Sequence, residues 1–124
     1  MDEFGPHLTI DVKNASKEKL SDIKLHFDFL MNLPKFIGMT PITQPYVFPY
    51  SGLVPEDKGI TGFQIIAESH ISIHSFEDKG WSFIDIFSCK NFDVEKAVEF
   101  TKDIFGDSDV EISLVKRGYG FPRN

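Results

Sequence analysis

Between Ile60 and Ser88 the chain carries three short β-type segments, joined by links too short for anything but hairpins. Residues 60–67, 70–75 and 81–88 are each rich in β-branched or aromatic side chains, the types that suit a pleated, half-buried surface. Phe76-Glu77-Asp78-Lys79-Gly80 reads as a hairpin turn, and the first two segments pair if the chain reverses tightly near Ser69. Neighbouring strands with such links must be antiparallel, because a parallel neighbour needs a crossover of a dozen residues or more. The centre of the molecule is therefore expected to be an antiparallel sheet.

The flanks extend this reading. His7-Leu8-Thr9-Ile10-Asp11-Val12 alternates, with Leu8, Ile10 and Val12 on one face and His7, Thr9 and Asp11 on the other. Ser16 is the expected N-cap of a helix over residues 17–33, with Leu20, Ile23, Phe27, Leu30 and Met31 as its apolar side and Pro34 as its stop. Residues 35–59 hold four prolines, so a strand over 42–48 is confined to a sheet edge. Asp93 caps a second helix whose apolar side is Val94, Ala97, Val98, Ile104 and Phe105, and Gly106 ends it. Residues 110–115 alternate as a last strand. The expected fold class is α+β: one domain over residues 1–124, a two-layer sandwich with a mainly antiparallel sheet and two helices on one face.

Composition narrows the function. A net charge of −6 with no Lys/Arg run argues against nucleic acid as a partner. No apolar run reaches the roughly 20 residues of a membrane span, and Met1-Asp2-Glu3-Phe4 lacks the basic and apolar parts of a secretory signal. A cytoplasmic protein without membrane contact is expected. Cys89 is the only cysteine, which excludes an internal disulfide and a multi-cysteine zinc site. There is no Walker-type loop and no G-x-G-x-x-G. Phenylalanine is abundant, at 13 residues, and Trp81, Phe83, Asp85, Phe87 and Cys89 share one parity. Aromatics on the face away from the helices point to a second copy covering it, hence a homodimer.

The chemistry concentrates in Glu68-Ser69-His70-Ile71-Ser72-Ile73-His74, where a strand turns. Three readings compete. A hydrolase with Ser69 or Cys89 as nucleophile and His70 or His74 as base lacks the glycines of G-x-S-x-G. A metal site from His7, His70, His74 and a carboxylate fails on geometry, since positions four apart on a strand lie about 13 Å apart. The third reading is self-cleavage. The Ser69 hydroxyl attacks the Glu68 carbonyl and turns the peptide into an ester. Loss of the Ser69 Cα proton then expels Glu68 as a carboxylate. The dehydroalanine left behind hydrolyses to a pyruvoyl group. His74 is a base of the right type and Thr61 a hydroxyl donor of the right type. Taken singly, Ser69 is an ordinary turn serine, His74 a strand histidine and Cys89 a small core residue.

The stretch from Ala67 to His74, then Gly80, then Ile84-Asp85-Ile86-Phe87-Ser88-Cys89, resembles the prokaryotic S-adenosylmethionine decarboxylase proenzymes. Their signature is E-S-H-x-(S/T)-I-H, followed by an aromatic-rich strand ending F-(T/S)-C; Gly5-Pro6-His7-Leu8 matches their N-terminal G-x-H-L. The resemblance implies cleavage between Glu68 and Ser69, with Ser69 becoming the pyruvoyl cofactor. It implies His74 as promoter of the elimination and Thr61 as the processing donor. It implies Cys89 as the acid that returns a proton to the substrate carbon, a role that suits a thiol because it is mostly protonated at neutral pH. Glu68 and Asp11 are implied substrate contacts, and no metal is implied. The resemblance further implies S-adenosylmethionine as the substrate, a product that serves spermidine and other polyamine synthesis, and a homodimeric assembly. The chain departs from the pattern at Thr61, where the family has serine, and at Asp11, where it has glutamate. Phe76-Glu77-Asp78 replaces W-P-E, and the proline-rich stretch ahead of Thr61 is longer. A pyruvoyl decarboxylase of ornithine or arginine, and an unprocessed ligand-binding relative, remain open alternatives.

Overall fold

The computed structural model describes residues 3–106 and 109–123. Its order is β1 (Gly5–Lys13), α1 (Lys17–Leu20), α2 (Ile23–Phe36), β2 (Tyr46–Tyr50), β3 (Gly59–Ile66), β4 (Ser69–Phe76), β5 (Trp81–Ser88), α3 (Val94–Phe105) and β6 (Asp109–Arg117). The six strands form one sheet in the order β2-β3-β4-β5-β1-β6, and every neighbouring pair is antiparallel. This is the expected α+β sandwich. The alternating pattern of β1 sends Leu8, Ile10 and Val12 to full burial. They join Ile71 and Ile73 of β4, Ile84 and Ile86 of β5, Phe29, Leu30 and Leu33 of α2, and Ala97 and Phe105 of α3. Each such aliphatic side chain contributes about 1.5–3 kcal/mol through burial.

The first helix differs from the expectation. It is broken at Ser21-Asp22 into a single turn and a longer helix. Ser21 turns its hydroxyl back to the Lys17 carbonyl (2.7 Å), while the Asp22 carboxylate accepts from the Leu25 amide (3.0 Å) and starts a new helix. Short polar side chains that bond to the nearby backbone compete with helix continuation in this way. The break resets the phase. Leu20 and Leu30 are buried as expected, but Ile23 is exposed and Phe27 and Met31 are only partly covered; His26, Phe29, Leu33 and Pro34 take the inner face. Pro34 does not end the helix. It sits in the last turn with its ring buried, and its carbonyl accepts from Met39 (2.7 Å), so the helix runs on to Phe36.

The edge strand of the proline-rich segment is β2, later than the expected 42–48 and carrying Pro49. Its location at the sheet edge fits a residue that has no amide to donate. Before it, Pro41 bridges to Ile66, and the Ile42 amide donates to the Ile65 carbonyl (3.2 Å). Residues 40–42 thus prolong the β2 side of β3 toward the β3–β4 turn.

Candidate active site

The turn between β3 and β4 has only two residues, Ala67 and Glu68, closed by the pair Ile66 and Ser69. Among the described residues only Asn14 and glycines have positive φ. The turn is therefore not of the primed type whose geometry matches the twist of its flanking strands. It is held by bonds from outside the hairpin. On the β2 side, the Ala67 amide donates to the Thr40 carbonyl (2.8 Å). The Thr40 amide donates to Glu68 Oε1 (3.0 Å) and its hydroxyl to Oε2 (3.2 Å). On the β5 side, the Cys89 amide donates to the Glu68 carbonyl at 2.9 Å. Lys90 joins the two sides, with Nζ 3.6 Å from Glu68 Oε2 and donating to the Gly38 carbonyl at 2.9 Å. Burial works to raise the Glu68 carboxyl; the hydrogen bonds from Thr40 and its own amide, with the Lys90 charge, outweigh it and hold the group below the usual carboxylate value.

Ser69 opens β4, half-buried, on the same parity as Ile71 and Ile73, and pairs with Ser88. Cys89 lies one residue past β5 and is partly exposed. Glu68, Ser69 and Cys89 thus form one band at one end of the sheet. His74 is five residues further along β4, about 17 Å away on an extended strand, and on the opposite parity. It meets Thr61 of β3, with Thr61 Oγ1 3.3 Å from His74 Nδ1. Asp11 is in the same cross-strand row, beyond Phe83. So Thr61, His74 and Asp11 form a second band, on the face away from the helices. One chain brings together the members of each band, and does not bring Ser69 to His74.

The second band borders a cavity of about 490 Å³ lined by Phe48, Tyr50, Leu53, Val54, Asp57, Thr61, His74 and Phe76, with glycines and Ser75 completing it. The rest of this face is aromatic. Tyr46 stacks on Phe63 (5.1 Å between centroids) and Trp81 on Phe83 (5.6 Å). Tyr46, Phe48, Tyr50, Phe63 and Phe83 are exposed. At the other end of the face, Arg117 Nη1 approaches His7 Nδ1 (3.3 Å) and lies over the Phe87 ring. A guanidinium can only donate, so His7 Nδ1 accepts and His7 Nε2 donates to Asp85 (3.0 Å). Desolvation pushes His70 below the usual imidazole value; the neighbouring His7 and the Arg117 charge add to it and Asp85 opposes it. Among the described residues, no group of three or more His, Cys, Asp or Glu is placed to hold a metal ion, and no helix is long and apolar enough to cross a membrane.

Residues 6–118 match the S-adenosylmethionine decarboxylase family. The chain belongs to that family. It is 29% identical to the S-adenosylmethionine decarboxylase proenzyme of Pyrococcus furiosus over 119 residues, covering 95% of this chain and 81% of the relative. It is also 29% identical to the proenzyme so named in Symbiobacterium thermophilum, over 94% of this chain and 85% of the relative. Its fold matches the crystal structure of the adenosylmethionine decarboxylase from Aquifex aeolicus, with a TM-score of 0.79 at 21% identity, over 95% of this chain and 93% of that one. Within this S-adenosylmethionine decarboxylase domain, sequence reading missed Thr40, Lys90 and the backbone amide of Cys89. Thr40 and Glu68 are 28 positions apart, and two of the contacts are made by main-chain groups. Nothing in side-chain identity signals an amide pointing at a particular carbonyl.

Proposed function

We propose that this chain is the precursor of a pyruvoyl-dependent decarboxylase of S-adenosylmethionine, cleaved by its own Ser69. The observation that carries the reading is the 2.9 Å hydrogen bond from the Cys89 amide to the Glu68 carbonyl. Glu68 is the residue whose carbonyl must accept the Ser69 hydroxyl. An amide fixed on that oxygen stabilises the negative charge that builds there, and one such donor is worth about 2.7–4 kcal/mol in acyl transfer. Attack forms the Glu68–Ser69 ester and frees the Ser69 nitrogen. Removal of the Ser69 Cα proton breaks the Cβ–O bond and releases Glu68 as a carboxylate. Addition of water and loss of ammonia leave a ketone at residue 69. The residues present fit this group, because the Glu68–Ser69 peptide lies at the sheet end beside Cys89. That ketone supplies an electron sink for decarboxylation of a bound amine. The Cys89 thiol, next to it in the fold, returns the proton.

The base for the elimination comes from a second copy. His74 and Thr61 are about 17 Å from Ser69 on their own chain. The aromatic face that carries them is the type of contiguous apolar surface that marks an interface. A two-fold axis across the strands, between two such faces, lays the Ser69 end of one copy over the His74 end of the other. Both sites of the homodimer are then complete. The cavity beside His74 is walled by Phe48, Tyr50 and Phe76. Flat rings suit an adenine and hold a sulfonium over their faces. This lining favours S-adenosylmethionine over ornithine or arginine. Asp11, in the same row, is available to the substrate's polar groups. The decarboxylated product serves polyamine synthesis.

The test is to purify the full chain and follow it on gels, then assay CO2 release from carboxyl-labelled S-adenosylmethionine, ornithine and arginine. Fragments 1–68 and 69–124 and release from S-adenosylmethionine alone are expected. An intact, inactive chain, or release from another amino acid instead, contradicts the reading.

A further inference from the structure

The two-residue turn at the cleavage site is an unusual link to leave unsupported. It has neither glycine nor positive φ at Ala67 or Glu68. The flanking hairpin does not dictate where the Glu68 carbonyl points; the bonds from outside do. Three of them converge on the Glu68 side chain: the Thr40 amide, the Thr40 hydroxyl and the Lys90 ammonium. Thr40 is itself anchored, since its carbonyl takes the Ala67 amide. Lys90 is anchored through the Gly38 carbonyl and through its own backbone, whose amide and carbonyl both bond the buried Ser88 hydroxyl (3.0 and 2.7 Å). The Glu68 carboxylate is thus gripped from both sides of the hairpin, on the residue whose carbonyl belongs to the bond that breaks.

We infer that Thr40 and Lys90 are positioning residues for self-cleavage, holding the Glu68 side chain so that its carbonyl stays on the Cys89 amide and within reach of the Ser69 hydroxyl. The inference rests on cleavage at Glu68–Ser69. It gives the Glu68 carboxylate a task inside the precursor, before any substrate is present. The step affected is the acyl shift, in which the Ser69 oxygen bonds to the Glu68 carbonyl carbon and the carbon–nitrogen bond breaks. A misplacement of about 1 Å costs such a step on the order of 10²-fold. Loss of one of several anchors is expected to cost about tenfold or more.

The experiment uses the full chain made by cell-free synthesis and sampled on gels over time, for the wild type, Ser69→Ala, Thr40→Val, Thr40→Ser, Lys90→Met and Lys90→Arg. Thermal melts are recorded for each. Parallel samples receive hydroxylamine, which cuts an ester but spares a peptide. Thr40→Val and Lys90→Met are expected to cleave about tenfold more slowly or worse, with melting points close to wild type. Thr40→Ser and Lys90→Arg should recover most of the rate. Hydroxylamine should not rescue the slow variants, because the ester is what they fail to form. Wild-type rates in Thr40→Val and Lys90→Met overturn the inference and leave the cleavage reading intact. So does ester accumulation that hydroxylamine releases, or slow cleavage that follows the melting point and is not restored by the conservative changes. A wild-type chain that never cleaves overturns both.

Discussion

Cys89 is used twice, by different atoms. Its amide holds the Glu68 carbonyl, and its thiol is the proposed proton donor in the later reaction. Cys89→Ala keeps the amide and removes the thiol. It should therefore still split into 1–68 and 69–124, within a few-fold of the wild-type rate, while CO2 release falls by about 10²-fold or more. Parallel loss of both would assign the thiol to cleavage as well. A second residue-scale prediction concerns His26, which is fully buried. Its Nδ1 faces the Asp22 carbonyl (2.8 Å) and so carries the proton; Nε2 then accepts from Ser75 (2.7 Å), which in turn accepts from Ser82 (2.9 Å). Burial holds His26 below the usual imidazole value, partly offset by the Asp22 carbonyl and charge. Phe105 packs edge-on against the ring and adds no charge. The unfolded chain protonates near pH 6.5 while the folded imidazole is still neutral. Stability is thus complete above about pH 6.5 and falls as pH drops toward the folded value. Melting points from pH 7.5 to 5.5 should decline, and His26→Gln should flatten the slope; an unchanged slope would falsify the role. Ser75→Ala, which leaves Nε2 unpaired, should cost about 1–3 kcal/mol. Ser69, His74 and Cys89 could be proposed from a local motif, and Thr61 from its place ahead of it. Thr40 and Lys90 were not, because their contacts span the fold.

At the scale of elements, the strands were easier to read than the helices. A strand's period is set by the pleat, so Leu8, Ile10 and Val12 could be assigned to the core from alternation alone. The first helix was misphased because Ile23, Phe27 and Met31 continue an apolar spacing across a break that only Ser21 and Asp22 impose. Asp22 is the residue to test. Asp22→Ala removes the cap on α2 and should cost about 1 kcal/mol of stability. α2 packs against β3 and α3 and stands outside both bands, so the rate of chain cleavage at 25 °C should be unchanged. No loss of stability would mean that the helix break has another cause. The second helix was read closely, since Asp93 and Gly106 mark its ends. Thr101 was the omission: its buried hydroxyl bonds back to Ala97 (2.9 Å) and behaves as an inner-face residue.

For the whole molecule, the separation of the two bands is the main consequence of the sheet. Register puts Ser69 opposite Ser88 and His74 opposite Phe83; no side-chain rotation closes the distance between them. A site built from both needs two chains, so defects should complement. His74→Ala and Ser69→Ala chains should each remain whole when made alone. Made together, they form mixed dimers with one complete site, in which the His74→Ala chain is cut. If co-synthesis yields no cut chain while both variants dimerise, the shared site is wrong. The aromatic character of this face was legible from Phe83 and Phe87. That the site would lie between two copies came only from the family resemblance, because a motif records which residues occur and not which faces they reach. The most direct measurement of the central claim is the intact mass of the purified protein. Fragment 1–68 should have a free C-terminal Glu68, and fragment 69–124 should be lighter by one ammonia than the same peptide beginning with serine. Borohydride should then add two hydrogens to the second fragment. A single mass for residues 1–124 with no borohydride uptake would contradict it.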